Sequence, residues 1–200
     1  MSLVAGGSDV GPAPLPSANL ARDEVVVSGP EGYCIDPTTL RRSASGGFAA
    51  IASCNILSGG AQGPFVEPVL VTVTVSRAAN GAPLLADLAA ALQTDLLQER
   101  QLSAIDVGQM ANGGQTAFDG SDPRHWRGAF VLDRHLIGIA LYAPKGSPLL
   151  GAQGAAFLNT VSSRIRANSA STSIGSAEQS QLNVDPLAVR LARLFETRDL

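Results

Sequence analysis

The sequence predicts an α+β fold, with helices packed on a mostly antiparallel sheet, on three observations. VEPVLVTVTVS (66–76) alternates strictly: Val69, Val71, Val73 and Val75 fall on one face of a strand, and Leu70, Thr72, Thr74 and Ser76 on the other. HWRGAFVLDRHLIGIALYAP (125–144) contains two apolar runs separated by a tight Asp-Arg reversal, the pattern of an antiparallel hairpin. Helical spacing follows each of these sheet blocks, not each single strand, and this grouping separates α+β from a parallel α/β arrangement.

The elements follow in chain order. The start, MSLVAGGSDVGPAPLPSANLARDE, is rich in Gly, Pro, Ser and Ala and reads as a disordered leader over 1–23. EVVVS (24–28), GYCID and GGFAAIAS (46–53) are short strand candidates ahead of the 66–76 strand, where Pro68 suits a strand's beginning because it has no ladder donor to give. NGAP then breaks the strand. Pro83 opens an expected helix over 83–100 with a stripe of Leu85, Leu88, Leu92 and Leu96. A short strand at 103–107 and a glycine-rich loop lead to the 125–144 hairpin. KGSP closes that hairpin and opens a helix over 148–167 whose shared face carries Leu150, Phe157, Leu158, Val161 and Ile165. Gly151 and Gly154 weaken this helix but permit close approach to the sheet. The expected core therefore contains Val71, Val73, Leu88, Leu92, Phe130, Ile139, Phe157 and Val161.

Four regions result: the leader over 1–23, an α+β domain over 24–167, a Ser-rich flexible linker over 168–184, and a C-terminal amphipathic helix over 185–200. Asp185 and Pro186 are suited to the N-cap and first helical position of that last helix. Its stripe of Leu187, Leu191, Leu194 and Phe195 must bury against its own sheet or a partner, so protein binding or self-association is expected through it.

Composition limits the function. The chain has 200 residues, 45% of them hydrophobic, enough for a substantial core in one principal domain. Its net charge is −3, with basic residues scattered and no track for a phosphate backbone, so no nucleic-acid partner is expected. No run of eighteen apolar residues occurs, so no membrane span is expected in the chain as given.

Cys34 and Cys54 are the two cysteines. Their segments are strand-like and the PTTLRRSASGG between them is turn-forming, so the two can meet as a disulfide, which persists in a periplasmic or otherwise exported protein. The leader composition fits a chain whose signal peptide has been removed. The alternative for the pair is two buried free thiols acting as small hydrophobes; a C-x-x-C redox motif is absent, and two cysteines alone do not make a structural zinc site.

Chemistry-bearing residues are few. A thiol nucleophile would need His125 or His135 as its base, but both histidines read better as strand-end or turn residues. Asp119, Asp122 and His125 in FDGSDPRHW have metal-ligand types, while Asp, Gly, Ser and Pro are also what a turn requires. No nucleophile elbow, phosphate loop or dinucleotide motif occurs, and no catalytic, metal or cofactor site is assigned.

The stretch 24–166, with its early strands, central helix and terminal hairpin leading into a last helix, resembles in layout the PsbP-like fold. That resemblance implies a non-enzymatic accessory role. The GYCIDP and SC segments resemble uncharacterised exported bacterial proteins, which imply no activity. The expected function is thus an exported accessory or binding domain; the alternative is a hydrolase with an unrecognised site.

Overall fold

A computed structural model describes residues 12–78 and 81–182. The strands are β1 (Ser17–Leu20), β2 (Val25–Ser28), β3 (Tyr33–Ile35), β4 (Arg41–Ser43), β5 (Gly46–Ser53), β6 (Leu70–Arg77), β7 (Leu96–Gln101), β8 (Asp106–Met110), β9 (His125–Leu132) and β10 (His135–Tyr142). The helices are α1 (Cys54–Leu57), α2 (Leu85–Ala91) and α3 (Ala152–Leu182). The main sheet runs β3-β5-β6-β10-β9-β8-β7, with β4 also paired to β5, and every pairing is antiparallel. The α+β class is therefore established.

Register explains the two faces of this sheet. Val71, Leu141 and Trp126 lie side by side across β6, β10 and β9, as do Val73, Ile139 and Gly128, and then Val75, Ile137 and Phe130. These rows form the inner face, buried beneath α3 and the β1–β2 hairpin, whose Ala18, Leu20, Val25 and Val27 join the same core. Within α3, Leu158, Val161 and Ile165 are fully buried, the expected face. Gly154 lets this helix seat: a Cβ there would lie 1.9 Å from the Leu149 carbonyl and 2.8 Å from the Trp126 ring.

Several expectations are corrected. The leader expected over 1–23 is structured from Leu15, whose backbone pairs with Ile35, and β1 follows because Ala18 and Leu20 alternate with exposed Ser17 and Asn19 and so supply a buried strand face. The linker expected over 168–184 continues α3 through Leu182. Serine and alanine are compatible with helix, and the small side chain of Ser169 brings α3 close enough for its Oγ to accept from Val26 N at 3.0 Å. The helix expected over 83–100 covers only Leu85–Ala91; Gln93 has φ 54°, and Leu96–Gln101 is strand β7. Accordingly Leu92 is exposed and Leu88 half-buried, while Val71, Val73, Phe130, Ile139 and Val161 are buried as expected. Phe157 stands at the core's margin, edge-to-face with Tyr33 at 4.8 Å. The strand expected at 103–107 is β8, three residues further on.

Cys34 and Cys54 are bridged, with Cα atoms 4.9 Å apart. The register places Cys34 opposite Ala52, two residues before Cys54 at the start of α1. Leu187, Leu191, Leu194 and Phe195, with the whole helix expected over 185–200, lie outside the described residues. Among the described residues no helix is long and apolar enough to cross a membrane.

Candidate functional site

The outer face of the sheet carries the candidate site, and its shape comes from side-chain size. Its rows read Thr74, Gly138 and Ala129 across β6, β10 and β9, and Thr72, Ala140 and Arg127 beside them. Small residues thus occupy the middle of the face. Larger ones stand around them: Leu136 from β10, and Pro83 and Leu88 from the segment containing α2. The result is a trough of about 220 Å³. A second depression of about 410 Å³ runs between Leu84–Ala86 and the β7–β8 pair, and a third of about 400 Å³ wraps the sheet edge by Ile105 and Phe130. All three meet at Ala129. Of the five large apolar side chains exposed among the described residues, Leu84 lines the second depression.

Arg127 closes one end of the trough. Its Nε donates to His125 Nε2 at 3.0 Å, and an Nη2 hydrogen goes to the Tyr142 hydroxyl at 2.8 Å. His125 in turn stacks on Tyr142, with ring centroids 5.1 Å apart and planes 18° apart. Because His125 Nε2 accepts from arginine, its proton sits on Nδ1, which faces the Pro123 carbonyl at 3.4 Å. Burial and, secondarily, the Arg127 charge push the imidazole down to about 4, so it is neutral at physiological pH.

A second polar cluster sits at the far end of the sheet. Arg134 Nε and His135 Nε2 both donate to Glu24 Oε2, at 2.9 and 2.7 Å, and Arg134 Nη2 pairs with Glu24 Oε1. Hydrogen bonds from Arg134 and then His135 hold the Glu24 carboxyl down at about 2. Arg22 and Arg77 border the same cavity of about 170 Å³.

The residues singled out by sequence part company. Cys34 and Cys54 form the disulfide, which removes the thiol nucleophile from consideration. Asp122 turns to Arg124, whose Nε lies 3.0 Å from Asp122 Oδ1 and whose side-chain hydrogen bond lowers the Asp122 carboxyl; His125 turns to Tyr142 and Arg127. The Asp119, Asp122 and His125 combination therefore does not assemble, and no such cluster exists among the described residues. Sequence reasoning did not single out Arg127 or the trough. The signal available was small residues, Gly138 and Ala140 at alternate positions of one hairpin strand and Ala129 on the other. No protein-family model matches the chain, nor does any curated protein or solved structure.

Proposed function

We propose that this chain is an exported, non-enzymatic binding domain whose working surface is the outer-face trough beneath α2. The observation that carries this reading is the continuity of the three depressions at Ala129, which gives an elongated, shallow surface suited to a segment of a partner protein. The exposed Leu84, with Pro83, Leu88 and Leu136, supplies apolar area for such a partner to cover. The Cys34–Cys54 disulfide supports export, since such bonds persist in oxidising compartments.

Random peptides displayed on phage, selected against the oxidised protein, test the proposal. Selected peptides are expected to share a pattern, to shift the backbone amides of Thr72, Leu88, Ala129 and Leu136, and to lose binding to Ala129→Trp, which fills the junction of the depressions. An absence of any enriched pattern, or shifts confined to another face, would rule the trough out.

A further inference from the structure

The end of the trough holds a cation with neutral neighbours. Arg127 is half-buried, and its two side-chain partners are an imidazole nitrogen and a phenol oxygen, neither of which carries negative charge. The ion pairs among the described residues involve Arg124, Arg134 and His135, and none reaches Arg127. Asp106, on the neighbouring strand β8, lines the second depression without pairing with it. A guanidinium has five N–H donors, of which two are committed here, so three stay available beside the trough. The committed pair holds the planar group at a set orientation, which reduces the rotamer entropy lost when a ligand arrives.

We infer that Arg127 seats a carboxylate: the trough takes an extended peptide segment of a partner protein that combines apolar side chains with one Asp or Glu. This rests on the reading of the trough as a binding surface. Charge complementarity picks the acid, because a planar fork of N–H groups matches a carboxylate with two parallel hydrogen bonds. The apolar positions follow from Pro83, Leu88 and Leu136 along the rest of the trough. His125 and Tyr142 are positioning residues, since they act on the ligand through Arg127. The elongated shape and exposed rim favour a peptide over a small free acid, whose binding would leave the second and third depressions unfilled.

The phage-selected peptides decide this. Selected sequences are expected to contain a recurrent Asp or Glu among apolar positions. For one such peptide, changing the acid to its amide should weaken binding to the wild-type chain by about tenfold or more, the scale of a lost charge-assisted hydrogen-bond pair. Against Arg127→Gln the acid and amide peptides should bind alike, and Arg127→Lys should recover only part of the preference because it keeps the charge without the fork. A recurrent apolar pattern with no acid, mapped to the same amides, would overturn this inference and leave the trough reading standing. No enriched pattern at all would overturn both. Should Arg127→Gln fail to fold, the acid-to-amide comparison on the wild-type chain is decisive by itself, equal affinities refuting the carboxylate. A free small acid such as butyrate shifting the Arg127 side-chain resonance while no acidic peptide does so would also refute the peptide assignment.

Discussion

His125 shows how one residue's surroundings set a pH dependence for the whole chain. The groups around it are Arg127, Tyr142 and, two and three positions away, Pro123 and Asp122, the last already paired with Arg124. In the unfolded chain its imidazole takes a proton near 6.5, whereas in the fold it resists until about 4. The unfolded state therefore binds more protons across that interval, so stability is full above 6.5 and falls as the pH drops toward 4. The total loss is on the order of 3 kcal/mol, from the size of the shift. Denaturant unfolding at several pH values is expected to show this fall in the wild-type chain and a flatter profile in His125→Phe, which keeps a ring against Tyr142 but cannot titrate. An unchanged slope in the variant would contradict the assignment. The Glu24 carboxylate works in a separate window: held at about 2, its contribution is present above 4.5 and disappears only in stronger acid.

Elements were legible in the sequence where one physical signal dominated. The β6 strand, which begins at Leu70 and not at residue 66, and the β9–β10 hairpin follow the two-residue period because one face of the sheet is buried, although the last four residues of β10 are buried on both faces. α2 and β7 were merged into one expected helix because Leu85, Leu88, Leu92 and Leu96 fit a helical stripe; the period-2 signal in Leu96–Gln101 has only half-buried residues on its inner positions and was too weak to compete. The sequence predicts α3 too short, since residues from 168 onward carry serines in place of large apolar residues, although Ser169 is buried. Of the two glycines the sequence marks for close approach, Gly154 makes one and Gly151 does not. Adding one methyl group at Gly154 is expected to cost about 1 to 3 kcal/mol, because the Leu149 carbonyl and the Trp126 ring already occupy the space. Thermal unfolding of Gly154→Ala checks this, with Gly151→Ala as control, where a Cβ would meet only the Pro148 carbonyl at 3.5 Å. Equal melting temperatures for the two variants would mean that α3 does not seat on Trp126 as described.

For the whole molecule, the site was harder to read than the fold because it is made by what is small. A sequence advertises large apolar side chains, which mark the core; a trough is a row of Thr, Gly and Ala whose meaning appears only when β6, β10 and β9 are set in register. The disulfide was legible because two extended segments and a turn-rich connection leave few other arrangements for two cysteines. Its energetic role also belongs to this scale. β3 already pairs with β5 through three residue pairs, so the native fold brings Cys34 and Cys54 together without help from the bond. The bond's stabilisation then comes mainly from the unfolded chain, where closing a ring of this size removes conformational freedom equivalent to about 3 kcal/mol. Replacing both cysteines by serine is expected to lower unfolding free energy by that amount while leaving the β6–β10–β9 amide resonances in place, because the sheet centre does not depend on the bridge. Reducing the wild-type chain should reproduce the loss. Mass spectrometry of unreduced, folded protein supplies the direct check: no thiol should be alkylated, and two alkylated cysteines would refute the bridge and withdraw the main support for export.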